Sequence, residues 1–216
     1  MKEINVGKEK LTERDVEVAT WIAEQGCARL DTVGLVLANM GYKIEIRQLR
    51  KLAVRWERLG LVHRERLLAK APAILWTTRY SMKLAGISMG RGQKAVKPSF
   101  TTIHHELTVA HIRTIYESHG ANWLSESRIR EDITGHLPDA IATYNDMKII
   151  VEIDRTRKSA TRLEAIMSEN AMANECDFVD YWISSDLISF FNLQIRMLPK
   201  HISQKIRLYS IPGELI

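Results

Sequence analysis

The chain has 216 residues, enough for one large domain or two small ones, and its 45% hydrophobic content can fill a core without any bias toward disorder. Its net charge of +5 is unevenly divided: residues 1–97 hold 19 Lys+Arg and 10 Asp+Glu (+9), residues 98–216 hold 12 and 16 (−4). No apolar run approaches the roughly 18 residues of a membrane-crossing helix, and the N-terminal MKEINVGKEK lacks a signal-peptide core, so a cytoplasmic chain with no membrane partner is expected. Thr12 can cap a first helix whose opening residues, Glu13 and Asp15, suit the positive end of the helix dipole, and Gly26 ends it. A short second helix is expected over 31–39, before Gly41. The third, over 44–59, carries an apolar stripe at Ile46, Leu49, Ala53, Trp56 and Leu59. Arg47, Arg50, Lys51, Arg55 and Arg58 form a cationic ridge on another face. That is what a helix placed against a DNA groove requires.

Residues 61–67 and 73–76 are expected to form a β-hairpin around Ala71-Pro72, followed by a helix over 80–85 closed by Gly86. Three helices, a hairpin and a further helix make a winged helix-turn-helix over residues 1–87, with Arg64, Arg66 and Lys70 on or near the wing. The bland alternative is a protein-interaction module, but the cationic ridge favours double-stranded DNA as partner. Residues 88–99 (SMGRGQKAVKPS) hold Gly90, Gly92, Pro98 and several cations with no acid, as a linker would.

Residues 100–216 form the second expected domain. A helix over 102–118 precedes strands at 122–126, 137–144 and 148–154, the last two joined by a tight turn at Asn145-Asp146. A helix over 159–174, a strand over 178–184, a helix over 186–197 and a strand over 205–211 complete an α/β (α+β) fold with a mixed sheet. The apolar run Ile149-Ile150-Val151 suggests a central strand buried on both faces.

Two carboxylates carry the chemistry. Residues 139 and 152 are equidistant from the turn, so Asp139 and Glu152 can face each other across the strand pair. They would repel unless a cation lies between them, which argues for a divalent metal, Mg²⁺ or Mn²⁺. A wet strand end is the plain alternative. Asp154 alternates onto the same face as Glu152, either as a further ligand or as a cap on the next helix. Arg155, Arg157 and Lys158 are phosphate-contacting candidates, and Lys158 is equally readable as a surface residue. Glu126, closing its strand, either converges on the same place or is a surface glutamate. His104 and His111 are seven residues apart, too far to share zinc unaided. His105 could act on a proton or a phosphate if it faces the carboxylates. Cys27 and Cys176 form no motif, which excludes a Cys-based zinc site and predicts reduced thiols.

Together, His105-Glu106-Leu107-Thr108-Val109-Ala110, Trp123 with Glu126, Pro138-Asp139-Ala140 and Val151-Glu152-Ile153-Asp154 with Arg155 and Thr156 resemble the replication-relaxation protein family. So do Arg14-Asp15, Leu30, the run from Arg47 to Leu59, and Trp76-Thr77-Thr78 in the first half. The resemblance spans about residues 12–184. It implies a winged helix followed by a restriction-endonuclease-like PD-(D/E)XK domain, and a role on plasmids or integrative elements in replication or conjugative mobilisation, related to MobC-type relaxases. It implies Asp139 and Glu152 as metal ligands, with Glu126 and His105 supporting. One departure stands out. The nuclease pattern places Lys two residues after the acid, where this chain has Asp154, so Lys158 would have to supply the amine.

The expectation is therefore a DNA-binding protein of a mobile element with a metal-dependent nicking or cleaving domain. The alternative is a non-catalytic regulator or accessory factor, with its second half making a homodimer or contacting transfer or replication proteins.

Overall fold

The computed structural model describes residues 5–6, 9–67, 71–87, 95, 97–129, 136–173 and 176–213. The chain divides into two units, Met1–Thr114 and Ile115–Ile216. The division falls downstream of the expected linker over 88–99, most of which lies outside the described residues, as do Lys70 and the expected turn over 131–135.

In the first unit, the two-residue strands β1 (Asn5–Val6) and β2 (Glu9–Lys10) pair antiparallel ahead of α1 (Glu13–Gln25). Thr12 accepts from the Asp15 amide while Asp15 accepts from the Thr12 amide, a reciprocal capping box that satisfies two orphan donors. Gly26, at φ +92°, ends the helix as expected. Next come β3 (Cys27–Arg29), α2 (Leu30–Asn39), α3 (Ile46–Arg58), β4 (Val62–Glu65), β5 (Ile74–Thr77) and α4 (Arg79–Leu84). The hairpin β4–β5 forms where expected. The short β3 was not foreseen: it adds to the free edge of β5, so the sheet order is β3-β5-β4, all antiparallel. Ile22, Leu37, Trp56, Leu61 and Leu75 are fully buried between the helices and this sheet. Thus α3 is anchored through Leu49, Ala53 and Trp56, three of the residues in its predicted stripe. Ile46, also assigned to that stripe, is half exposed instead: it is the first residue of the helix, on the same face but at its end.

The unit boundary falls inside α5 (Ile103–Ser118). The second unit continues with β6 (Asn122–Ser125), α6 (Glu126–Ile129), β7 (Ala140–Tyr144), β8 (Met147–Asp154), α7 (Ala160–Met172) and β9 (Phe178–Ile183). A 3₁₀ turn (Ser185–Leu187), α8 (Ile188–Met197), α9 (Lys200–Ser203) and β10 (Ile206–Ser210) complete it. The result is a mixed five-stranded sheet in the order β10-β9-β8-β7-β6. β6, β7 and β8 form an antiparallel meander, and β8, β9 and β10 run parallel, with α7 as the crossover that parallel neighbours require. β8 is central and buried from Ile149 to Asp154, as its apolar run predicts. Leu163, Met167, Val179, Tyr181, Ile183 and Phe191 join α7 and α8 to one face of the sheet. No helix among the described residues is long and apolar enough to cross a membrane.

Candidate functional site

The solvent face of α3 lies opposite the stripe that anchors it. Residues at three- and four-residue steps share a helix face, so Arg47, Arg50, Lys51 and Arg58 line up along the exposed side. The side chains of Arg47, Arg50 and Lys51 make no ion pair or hydrogen bond with other described residues. Arg55 belongs elsewhere, although the sequence groups it with the DNA-facing cations. Its guanidinium donates to the fully buried Asp15 carboxylate at 2.6 Å and to the Lys10 carbonyl at 2.9 Å. The indole of Trp56 donates to the other Asp15 oxygen at 2.8 Å. Burial opposes ionisation of Asp15, but Arg55, the Thr12 amide and Trp56 outweigh it and hold the carboxyl below its ordinary range. Arg64, on β4, donates to Glu57 at 2.9 Å. Arg66 is exposed just past that strand.

In the second unit the tight turn sets the geometry. Asn145 and Asp146 both adopt positive φ (+48° and +62°), the turn whose twist matches a two-residue hairpin. The register then pairs Tyr144 with Met147 and Ala140 with Val151. One step further, Asp139 stands opposite Glu152. The ladder is replaced there by a side chain: the Asp139 carboxylate accepts the Ile153 amide at 2.8 Å. On the other side, β6 pairs Ser125 with Ala140, so the same row would continue to Glu126. The strand ends before it, however. Glu126 is the first residue of α6, not the last of β6 as expected, because the chain turns into a helix there.

Glu152 is 4% exposed. Its Oε1 accepts from Asn170 Nδ2 at 2.9 Å and lies 2.7 Å from His136 Nε2. Burial pushes this carboxyl up, the His136 contact pulls it down, and the charge of Asp139 raises it again. The bond to Glu152 raises His136 above its ordinary value of 6.5. The His136 amide donates to Glu169 on α7 at 2.8 Å, which fixes the loop that carries the imidazole.

Asp154 is 5% exposed on the same face as Glu152. Its Oδ1 is paired with the ammonium of Lys158, while its Oδ2 is buried with no hydrogen-bond partner among the described residues. Lys158 lies in the loop ahead of α7, whose cap is Ser159, and not on the helix surface. Burial lowers the Lys158 ammonium, while Glu152 and Asp139 are close enough to raise it. The structure thus brings Asp139, Glu152, Asp154 and Lys158 into one neighbourhood and adds His136 and Asn170. His105 falls on the part of α5 that belongs to the first unit.

Sequence reasoning passed over His136 and Asn170. Asn170 left a signal: on α7 it follows Leu163, Ile166 and Met167 on the buried stripe, where an amide needs a polar partner. His136 left none, because its loop position has no periodicity.

Two carboxylates facing each other across a strand pair are a donor set that a hard divalent cation can use. Mg²⁺ takes one or two carboxylates and completes its shell with water and phosphate oxygens. Asp139 and Glu152 supply such oxygens, and Asp154, on the same strand face as Glu152, has a buried Oδ2 with no hydrogen-bond partner among the described residues. Among the described residues no three His, Cys, Asp or Glu side chains are gathered to hold one ion. No family model matches this chain, nor does any curated protein or solved structure.

Proposed function

We propose that this chain is a duplex-DNA-binding protein of a plasmid or integrative element, acting in mobilisation or replication. In this reading its first unit is a winged helix and its second a PD-(D/E)XK-like core that nicks or cleaves DNA with Mg²⁺ or Mn²⁺. The observation that carries the DNA half is the solvent face of α3: three exposed cations without partners among the described residues, on a helix held from behind by Leu49, Ala53 and Trp56. The run α1-β3-α2-α3-β4-β5 with sheet order β3-β5-β4 supports the winged-helix reading. The mobile-element setting rests on the family resemblance. Binding should depend steeply on salt, because each phosphate neutralised by Lys or Arg releases counterions. Fluorescence anisotropy on a random-sequence duplex, with Arg47→Ala/Arg50→Ala/Lys51→Ala as control, tests it. An identical salt slope in the control rejects the DNA surface.

The nuclease half is supported by the meeting of Asp139 and Glu152. Those two carboxylates would hold the ion, which when bound supplies charge neutralisation at the phosphate. Lys158 places a positive charge beside them for a phosphate oxygen. His136 Nε2, 2.7 Å from the Glu152 carboxylate, shares a proton with it. Nicking of supercoiled plasmid with Mn²⁺, lost in Asp139→Ala, is the expected result. Equal activity in both proteins, or none in either, removes the enzymatic reading.

One observation favours a non-catalytic regulator or accessory factor. Asp154 occupies the position where the nuclease pattern needs lysine, and it ties up the ammonium of Lys158. The second unit would then serve dimerisation or contact with transfer or replication proteins. Calorimetry with Mn²⁺ separates the two, since the regulator needs no ion.

A further inference from the structure

Val54 is 51% exposed at the middle of the solvent face of α3, with Arg50, Lys51 and Arg58 one turn away and Arg47 two turns away. It belongs to none of the apolar clusters formed by the described residues of the first unit. A β-branched residue costs helix propensity relative to Ala, and an exposed isopropyl group leaves apolar surface in water. The flanking cations are long and can reach outward to two phosphate strands. Val54 is short, so it lets the helix backbone come close to whatever lies between those strands. In the major groove that space is lined by base edges, and the one apolar group they present is the C5-methyl of thymine.

We infer that Val54 is a specificity-determining residue that packs against a thymine methyl group in the major groove, while Arg47, Arg50 and Lys51 grip the flanking phosphates. This rests on the DNA-binding reading and deepens it, from charge attraction to a preference for thymine at one or two positions.

The test uses the full chain. Preferred duplexes are selected from a randomised pool, and each thymine of the best one is replaced in turn by deoxyuridine, which lacks only the methyl group. Removing one buried methyl should weaken wild-type binding roughly four-fold at the position that Val54 touches. Val54→Ala should bind thymine and deoxyuridine equally there, and should keep its affinity for random duplex and its melting temperature. Val54→Thr, which keeps one methyl, should retain part of the preference. If wild type shows no thymine preference at any position, or Val54→Ala keeps it, the inference is overturned while DNA binding stands. If Val54→Ala instead abolishes self-association in light scattering and leaves thymine discrimination untouched, Val54 belongs to a protein interface. If wild type and the triple cation variant bind random duplex equally or not at all, the underlying DNA reading itself fails.

Discussion

Arg55 and Arg50 are five residues apart on one helix, and the structure gives them different surroundings. Replacing Arg55 with Ala removes a 2.6 Å ion pair to a fully buried carboxylate and a 2.9 Å bond to the Lys10 carbonyl. Removing one partner of a buried pair costs about 3–5 kcal/mol, because the charge left behind is uncompensated. The Arg55 side chain is 24% exposed, and Trp56 and Thr12 still serve Asp15, so the low end applies, about 3 kcal/mol. At about 4 °C per kcal/mol for a unit of this size, calorimetry should show a fall of roughly 12 °C in the first unit's transition. Arg50→Ala, exposed and without a partner, should move it by less than about 2 °C. DNA binding should show the reverse. Arg50→Ala should lower the salt slope by about 0.9, the share of one phosphate contact. Arg55→Ala, measured well below its melting point, should leave the slope alone. In an Asp15→Asn background the further cost of Arg55→Ala should nearly vanish, since the pair is already broken. A fully stable Arg55→Ala, or one whose salt slope falls like that of Arg50→Ala, would refute the separation of anchoring from DNA-facing cations.

The bond to Glu152 raises His136 above 6.5, so the stability it contributes is fully present below about pH 6.5 and is lost as pH rises through the folded value. Proton NMR of the imidazole should show this raised midpoint, and Glu152→Gln should bring it down, because the Glu152 contact is the largest cause of the rise. Burial pushes up both thiols, Cys27 with added repulsion from Glu106 at 3.4 Å. Neither cysteine should react with iodoacetamide at pH 7.5 until the chain is unfolded, as mass spectrometry would show; rapid labelling of the native chain would place them differently. Lys158→Met should cost about 3 kcal/mol in denaturant melts by leaving Asp154 buried and unpaired, whereas Lys158→Met/Asp154→Leu should cost much less. Equal losses in the two would mean that the pair is not what holds this loop.

Where the sequence has a strong local period, it was sufficient. The stripe Leu49-Ala53-Trp56, the cap at Thr12 and the turn at Asn145-Asp146 each follow from short-range rules, and each is where it was expected. That turn also fixed the strand register, so Asp139 opposite Glu152 was legible from arithmetic alone. The long-range partners were not. The Asp15–Arg55 pair spans 40 residues, and within the helix Arg55 looks like any other cation of the ridge. The strand β3 is three residues long and exists because β5 offers it an edge, a fact absent from its own sequence. Glu126 was misplaced because propensity does not say where a strand gives way to a helix.

The acid cluster follows from one constraint on β8. In a central strand, alternation sends Glu152 and Asp154 to the same face, and both end up buried. Two adjacent buried carboxylates, with Asp139 alongside, need positive charge within the same pocket. The chain brings it from outside the sheet: His136 from the segment before β7, and Lys158 from the loop after β8. A lysine at position 154 would have provided that charge from the strand itself, fixed by the ladder. Carried on a loop four residues later, the ammonium instead pairs with Asp154 itself. Position 154 therefore carries an acid that holds the Lys158 ammonium, and Asp154→Asn is the change that would release it.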